Sequence, residues 1–387
     1  MKKICILTAT RAEYGLLKPV IKRLGKEPDF DVRVVATGAH LSPEFGLTYK
    51  EIEQDGIAID KKIEILQSAD TPAAISKSMG LAMINFADYF SSLKPDMLLV
   101  LGDRYETLAV CIAAVNQRIP IAHLYGGEIT EGAVDESFRH AITKLSYIHF
   151  TSTDEYRRRV IQLGEQPDRV FCVGALGIEN ILNEKLMSKE ELENAIQFKL
   201  DKPFALVTFH PVTLEDNSSA EQFQALLDVC RKHKELKFIF TKANADANGR
   251  IINRMMDGFV KENDHTAAFS SLGTSKYLSA LKYCAMVIGN SSSGLLEAPS
   301  FGIPTINIGD RQKGRIQAGS IINCGPFGNE IEKSMSLAIS KEFINIAHHT
   351  VNPYGDGNTS VKIIEKLKLC FDDPINLKKK FYDCGAE

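Results

Sequence analysis

Carboxylates that follow short apolar runs are the first candidates for chemistry in this sequence. Asp103 comes after an apolar run and a glycine, and Glu128 comes after the glycine pair Gly126-Gly127, with Asp135 further along the same loop. Two carboxylates in one pocket are what abstraction and return of a carbon-bound proton require. Acidic residues near a helix start are also common as caps or as partners of the helix dipole. The residues alone leave both interpretations open.

Groups suited to binding an anion recur at other predicted strand ends. The turn 289–294 contains Ser291 and Ser292 and precedes a predicted helix. Hydroxyls and the N–H groups of a helix start form a cradle for phosphate, although a serine helix cap gives the same pattern. The other candidates are one histidine and three arginines, namely His210, Arg11, Arg104 and Arg311. Together these groups predict a site for a diphosphate.

Several other kinds of site are excluded because their spacing patterns are missing. The first strand–helix junction has neither the GxGxxG pattern of dinucleotide-binding folds nor the GxxxxGK[ST] pattern of phosphate-binding loops. The 8 cysteines contain no CxxC pair, and His123, Asp135 and His140 match no zinc spacing. We therefore expect no metal and no cofactor.

The elements that must position these groups are short apolar runs alternating with longer amphipathic segments. Runs that are apolar on both faces predict buried parallel strands. The predicted strands are Ile4–Leu7, Val32–Ala36, Met97–Leu101, Ile119–Ala122, Ile148–Thr151 and Val170–Val173, then Ala205–Phe209, Phe238–Phe240, Thr266–Phe269, Met286–Ile288 and Thr305–Ile308. A polar linker at 176–200 separates two similar halves. The pattern predicts an α/β fold with two Rossmann-like domains, whose parallel sheets face a central cleft.

Composition excludes several classes of protein. The chain has 387 residues, of which 44% are hydrophobic and 25% charged, as is ordinary for a globular protein. Lys+Arg 46 against Asp+Glu 49 gives a net charge of -3, which offers no electrostatic support for binding nucleic acid. No apolar run reaches the roughly 18 residues of a membrane span, and no export signal follows Met1. We expect a cytoplasmic protein that contacts no membrane.

Taken in order, these motifs resemble those of the UDP-N-acetylglucosamine 2-epimerases. The similarity is greatest to the hydrolysing branch, which makes N-acetylmannosamine for sialic acid. The matching segments are Thr10-Arg11-Ala12-Glu13-Tyr14, Gly102-Asp103-Arg104, Gly126-Gly127-Glu128, Asp135 with Arg139 to Lys144, His210-Pro211-Val212-Thr213, Gly289-Asn290-Ser291-Ser292, Gly309-Asp310-Arg311-Gln312 and Tyr354 to Gly357. The ordered matches cover most of the chain.

The resemblance implies a GT-B-like fold with Rossmann-like domains at 1–178 and 179–364, the second binding UDP, and a C-terminal helix at 365–387 that crosses back to the first. It implies a reaction in which UDP leaves C1 as a base removes the C2 proton. Water then adds to the 2-acetamidoglycal, giving free N-acetylmannosamine with inverted C2. The expected partners are the UDP-sugar substrate and the UDP product, and the expected assembly is a homodimer.

Carried over residue by residue, the resemblance gives each candidate a role. The catalytic group comprises Asp103, Glu128, Asp135 and His210, with the three carboxylates transferring protons. The substrate-binding group comprises Arg11, Arg104, His123, Arg139, Asn244, Ser291, Ser292, Glu297 and Arg311, with Glu297 on the ribose hydroxyls.

Two positions depart from the family pattern. Leu101 stands where the family often has histidine, and Tyr125 stands where it often has an acidic residue. The assignment of base and acid therefore stays open. So does the sugar, since UDP-2,4-diacetamido-2,4,6-trideoxyglucose of legionaminic acid synthesis would undergo the same chemistry. A GT-B glycosyltransferase or a UDP-sugar-binding sensor would share the fold and the UDP site.

Overall fold

The chain divides into two compact units. Unit 1 comprises Met1–Asn180 together with Tyr354–Glu387, and unit 2 comprises Ile181–Pro353. The computed structural model describes residues 1–43, 45–67, 71–129, 134–210, 218–242, 249–269 and 272–384. Within these residues, each unit has its own parallel sheet and its own hydrophobic core.

Unit 1 is built on a sheet of parallel strands covered by helices. Its strands are β1 (Lys2–Thr8), β2 (Phe30–Thr37), β3 (Ile59–Ile63), β4 (Met97–Leu101), β5 (Ile121–Leu124), β6 (Ile148–Thr151) and β7 (Val170–Cys172). Its helices are α1 (Arg11–Leu24), α2 (Tyr49–Gln54), α3 (Pro72–Leu93), α4 (Tyr105–Asn116), α5 (Asp135–Leu145), α6 (Asp154–Gln162) and α15 (Thr359–Asp372), and α7 (Leu176–Asn183) extends into unit 2. The strand order is β3-β2-β1-β4-β5-β6-β7. The order reverses between β1 and β4, and ligands of such sheets bind outside the carboxyl ends of the strands at that point.

Unit 2 repeats this architecture. Its strands are β8 (Phe204–Thr208), β9 (Lys237–Thr241), β10 (Thr266–Phe269), β11 (Met286–Gly289), β12 (Thr305–Ile308) and β13 (Ile321–Cys324), in the order β10-β9-β8-β11-β12-β13. Its helices are α8 (Lys189–Ile196), α9 (Ser218–Lys232), α10 (Gly249–Glu262), α11 (Gly273–Tyr283), α12 (Ser292–Leu296), α13 (Gly328–Ala338) and α14 (Lys341–His348). Here the strand order reverses between β8 and β11.

The predicted α/β class with two parallel sheets is confirmed, since every described strand pairing is parallel. The sequence pattern misses β3 and β13, which are both edge strands. In β3 the charged residues 60–62 are exposed, so no apolar run marks the strand. The expected linker at 176–200 instead contains α7 and α8, and a capping box between Ser188 and Glu191 fixes the start of α8.

The predicted C-terminal helix at 365–387 is wrong at both limits. The last helix, α15, begins at Thr359 and ends at Asp372, ahead of Pro374, which has no N–H with which to continue a helix. It packs against α1, and the backbone N–H and the hydroxyl of Ser360 both donate to the buried carboxylate of Glu179. Among the helices described, none is both long enough and apolar enough to cross a membrane.

Candidate active site

A buried arginine, Arg139, joins two of the segments predicted to be catalytic in unit 1. Its guanidinium forms an ion pair with Asp103, which follows β4. It also donates hydrogen bonds of 2.7 Å to the backbone carbonyl of Glu128 and to Oε2 of Glu136. Arg139 is 4% exposed, so water competes little for these contacts. The carboxyl end of β4 is thereby held beside the loop that follows β5.

The carboxylates Glu128 and Asp135 lie at the two ends of that loop. Oε1 of Glu128 accepts a hydrogen bond of 2.9 Å from the Ser152 hydroxyl, just after β6. Asp135 is the first residue of α5, and a spacing of four residues places it on the same helix face as Arg139. The structure therefore brings Asp103 and Glu128 to one arginine and places Asp135 one helical turn from it.

The glycine pair before Glu128 allows this loop to lie close to neighbouring helices. Gly127 has a φ of +81°, and a Cβ at this position would clash with the carbonyl oxygen of Tyr156 in α6. A Cβ on Gly126 would lie 3.1 Å from Nδ1 of His123. Only glycine meets both demands at Gly127, a positive φ and a close approach to backbone.

His123 lies in β5 and is fully buried. Its Nε2 is 2.8 Å from the carbonyl oxygen of Gly102, to which it donates, and its Nδ1 is 3.3 Å from the hydroxyl of Thr143. Burial lowers the pKa of His123 to about 3, so the imidazole is neutral near pH 7. The geometry gives His123 a supporting contact to Gly102, directly before Asp103.

Two predicted phosphate ligands, Arg11 and Arg104, line a pocket of about 1050 Å³ in unit 1. They stand at the starts of α1 and α4, where the strand order reverses. Nε and Nη2 of Arg104 bind the two carboxylate oxygens of buried Glu106 at 3.2 and 3.0 Å. Nε of Arg11 lies 3.1 Å from Oε2 of Glu51, and the Arg11 side chain is 73% exposed. Both guanidiniums are thus positioned at the ligand-binding edge of the sheet.

Glu13 lies close to Arg104, and the sequence analysis assigned no role to its carboxyl group. Its Oε2 accepts hydrogen bonds of 2.7 and 3.2 Å from the N–H groups of Ala9 and Thr10, which completes a capping box at the start of α1. Its Oε1 is buried 3.9 Å from Nε of Arg104 and has no hydrogen-bond partner among the described residues. Burial raises the pKa of Glu13 to about 7. The Thr-x-x-Glu spacing is the sequence signal for the cap, but nothing in that spacing indicates the burial.

In unit 2, Asn290 connects three strand ends. Its side-chain amide accepts a hydrogen bond of 2.7 Å from the backbone N–H of His210 and donates one of 2.8 Å to the His210 carbonyl. The carbonyl of Asn290 accepts from Nη1 of Arg311 at 3.0 Å and from Nε2 of Gln312 at 2.9 Å. The loops after β8, β11 and β12 therefore meet at Asn290. This asparagine stands in one of the sequence motifs, but the sequence predicted no function for it.

The predicted serines begin the short helix α12. Ser291 is its N-cap and accepts from the N–H of Ser293, and Ser292 is its first residue. The Ser293 hydroxyl donates to Oε2 of Glu297 at 2.6 Å and lies 2.5 Å from the hydroxyl of Tyr277. Burial raises the pKa of Glu297. Ser293 therefore orients Glu297, and Tyr277, which the sequence did not indicate, contacts Ser293.

Asn244, the remaining predicted binding residue, lies outside the described residues. In unit 1 the structure places Asp103 and the backbone carbonyl of Glu128 in contact with Arg139. In unit 2 it places His210 and Arg311 around Asn290, and Ser291 directly after it.

Comparison with known proteins bears on the chemistry of these clusters. The family described as UDP-N-acetylglucosamine 2-epimerase matches residues 22–368. The chain belongs to this family. The resemblance seen in the sequence motifs is thereby confirmed, and the two Rossmann-like units correspond to a GT-B-like fold.

Individual members of the UDP-N-acetylglucosamine 2-epimerase family are similar over most of the chain. The GDP/UDP-N,N'-diacetylbacillosamine 2-epimerase (hydrolyzing) of Campylobacter jejuni is 46% identical over 343 residues, 88% of each chain. Polysialic acid biosynthesis protein P7 of Escherichia coli is 40% identical over 99% of this chain and 98% of that protein. The crystal structure of UDP-GlcNAc 2-epimerase from Neisseria meningitidis bound to UDP-GlcNAc superposes with a TM-score of 0.79 at 21% identity, covering 95% of this chain and 100% of that one.

Proposed function

We propose that this protein is a hydrolysing UDP-sugar 2-epimerase, which converts a UDP-linked 2-acetamido hexose and water into UDP and the free sugar with inverted C2. In its most specific form, the proposal is conversion of UDP-N-acetylglucosamine to N-acetylmannosamine for sialic acid biosynthesis. The observation that carries the proposal is the contact of Arg139 with Asp103 and with the Glu128 backbone. One carboxylate to remove a proton and another to return it are the groups that this reaction needs.

The reaction has two stages that use the carboxylates in turn. A carboxylate removes the C2 proton while the C1–O bond breaks, so that UDP leaves with the bonding electrons and a C1–C2 double bond forms. A protonated carboxyl then delivers a proton to C2 from the opposite face, while water adds its hydroxyl to C1 and passes its remaining proton to an ionised carboxylate. We assign these transfers to Asp103, Glu128 and Asp135. Because Arg139 fixes Asp103 and the Glu128 backbone together, it keeps the first two in one arrangement through both stages.

The departing diphosphate carries the charge that must be stabilised, and cations and oriented N–H groups do this best. We propose that the predicted phosphate ligands stabilise this charge, and these are Arg11, Arg104, His210, Ser291, Ser292 and Arg311. Glu297 would accept hydrogen bonds from the ribose hydroxyls, and Asn244 completes the proposed set. Fully buried His123 is assigned a positioning role through Gly102.

Turnover in deuterated water tests the proposal. Incubation with UDP-N-acetylglucosamine alone should release UDP and N-acetylmannosamine that carries deuterium at C2, both visible by NMR. Asp103→Asn and Glu128→Gln should each lower kcat by about 10²-fold or more, the usual size of a lost general acid or base. Glu190→Gln, an exposed carboxylate on α8, serves as the matched control. UDP release with no deuterium at C2 would refute the elimination route.

A second candidate substrate is favoured by a particular comparison. The Campylobacter relative, 46% identical, is named for N,N'-diacetylbacillosamine, the 2,4-diacetamido-2,4,6-trideoxy sugar. The elimination and hydration steps would be the same, since both sugars have an acetamido group at C2. Measuring kcat/KM for the two UDP-sugars side by side decides between them. Turnover that required an acceptor sugar would support a glycosyltransferase, and UDP-sugar binding without turnover would support a sensor.

A further inference from the structure

Tyr125 directly follows β5 and begins the turn that leads to Glu128. Its φ is +68°, a left-handed conformation that is uncommon for a residue with a bulky side chain. Such a conformation persists only where the surrounding structure enforces it, and it is found most often at functional sites. The reaction proposed above gives Tyr125 no role. The contacts that enforce its φ therefore bear on how the turn presents Glu128.

Two hydrogen bonds and the core of unit 1 hold Tyr125 in place. Its backbone N–H donates to the carbonyl of Phe150 in β6 at 2.9 Å, and its ring packs against the hydrophobic core. Its hydroxyl oxygen accepts a hydrogen bond of 2.7 Å from the N–H of Leu176, the first residue of α7. The first N–H groups of a helix have no partner within the helix, so the phenol supplies one to α7. The side chain of Tyr125 is therefore anchored at its tip as well as along its ring.

Only the glycines Gly126 and Gly127 separate Tyr125 from Glu128. Glycine restricts the backbone less than any other residue, so the direction of the chain depends on what holds it at either side of the pair. Tyr125 is the fixed point before the pair, and the backbone carbonyl of Glu128, bound by Arg139, is the fixed point after it. Burial raises the pKa of Tyr125, and the negative charge of Glu128 raises it further, so the phenol stays protonated and lies close enough for the carboxylate charge to act on it.

We propose that Tyr125 is a positioning residue, whose hydroxyl, bound by Leu176, fixes the turn in the arrangement that presents Glu128 for proton transfer. The proposal rests on the proposed function, because it takes Glu128 to be a proton-transfer group. Tyr125→Phe keeps the ring in the core but removes the oxygen that accepts from Leu176. The strained turn then loses one of its restraints, and the Glu128 carboxylate shifts. A misplacement of about 1 Å at a reacting group can lower a rate by about 10²-fold.

Phenylalanine variants of two tyrosines provide a matched test. Tyr147 packs against the same hydrophobic core, but its N–H donates to the carbonyl of Ile121, at the opposite end of β5 from the turn. Tyr125→Phe should lower kcat by about tenfold or more and change KM for the UDP-sugar by less than about twofold. Tyr147→Phe should leave both constants unchanged. Circular dichroism checks that each variant is folded at the assay temperature.

Combined variants show whether Tyr125 acts through Glu128. In a Glu128→Gln background, Tyr125→Phe should lower kcat by less than a further factor of about two, because the group that it positions is already lost. In a Ser291→Ala background it should still cause its full loss, because Ser291 lies in unit 2. Tyr125→Asn is a second variant, since asparagine accepts a positive φ but is too short to reach Leu176. It should lower kcat at least as much as Tyr125→Phe does.

The outcomes separate this inference from the proposed function. Wild-type kcat in both Tyr125→Phe and Tyr125→Asn would overturn the inference while the epimerase function stands. So would equal losses from Tyr125→Phe in the wild-type and Glu128→Gln backgrounds, because the effect would then not pass through Glu128. A loss expressed only in KM would also overturn it. Failure of the wild-type protein to release UDP from a UDP-sugar would overturn the proposed function, and the inference with it.

Discussion

Replacing Glu13 with glutamine should stabilise unit 1 at alkaline pH and have little effect on its stability at acidic pH. Folding raises the pKa of Glu13 from 4.5 to about 7 because the carboxyl group is buried. Between those two values, the folded protein holds more protons at this site than the unfolded chain does. Wild-type stability must therefore fall as the pH rises from about 4.5 to about 7. Glutamine stays neutral and keeps an oxygen for the N–H groups of Ala9 and Thr10.

The expected size follows from the two pKa values of Glu13. The interval from 4.5 to about 7 is about 2.5 pKa units, and each is worth about 1.4 kcal/mol, which gives about 3 kcal/mol. Glu13 is only 8% exposed, so screening by solvent reduces this figure little. The stability difference between Glu13→Gln and the wild type should thus grow by about 3 kcal/mol between pH 4.5 and pH 8.

Urea unfolding at several pH values measures this difference. The chain contains no tryptophan whose fluorescence could report unfolding, so circular dichroism is the suitable probe. Glu365→Gln removes an exposed carboxylate from α15 in the same unit and is the control. We expect the gain of Glu13→Gln to rise with pH and that of Glu365→Gln to stay near zero. A gain for Glu13→Gln that is the same at pH 5 and pH 8 would refute the reasoning, because it would mean that Glu13 ionises normally in the folded protein.

Two further substitutions test the loops that position the site. Asn290→Ala removes the side-chain amide that hydrogen-bonds the N–H and the carbonyl of His210, and should lower the free energy of unfolding by about 2 kcal/mol and weaken UDP binding. Unchanged UDP affinity in calorimetry would contradict the placing of His210 at the nucleotide. Gly127→Ala should lower the melting temperature more than Gly56→Ala. The two glycines have similar positive φ values, +81° at Gly127 and +76° at Gly56, but only a Cβ at Gly127 would clash with a backbone carbonyl, that of Tyr156. Equal losses would mean that this loop relaxes without strain.

The interior strands were predictable because each buried strand corresponds to a short apolar run in the sequence. Central parallel strands are apolar on both faces, and β4, β6 and β12 have the limits that their apolar runs predict. The edge strand β10 also has its predicted limits, whereas the edge strand β3 lacks an apolar run because its charged residues are exposed. The linker at 176–200 was misjudged because α8 and the residues just before it are mostly polar, and the capping box at Ser188 is the sequence signal that indicates a helix there.

The residue types of the candidate site stand out in the sequence, but the contacts that join them do not. Gly-Asp-Arg and Gly-Gly-Glu mark Asp103 and Glu128 because polar residues at strand ends stand out against apolar runs. No local pattern shows that Arg139, from α5, reaches both of them, since Asp103 lies 36 positions and Glu128 lies 11 positions before it in the sequence. The raised pKa of Glu13 could not be predicted either. Its spacing from Thr10 indicates a helix cap, but its pKa depends on burial in the tertiary structure.

The polar groups that hold the site loops share a property that bears on catalysis. Burial lowers the pKa of His123 to about 3 and that of His40 to about 4, so both imidazoles remain neutral from pH 5 upward. In unit 2 the loop at His210 is held by the side-chain amide of Asn290, which does not ionise. Three loops are therefore held in place by groups whose charge does not change over the neutral range. They are the loop that presents Asp103, the loop after β2 that contains His40, and the loop that presents His210. A change in turnover between pH 6 and pH 8 cannot then be attributed to His40 or His123, and Glu13, beside Arg104, is the group to examine first.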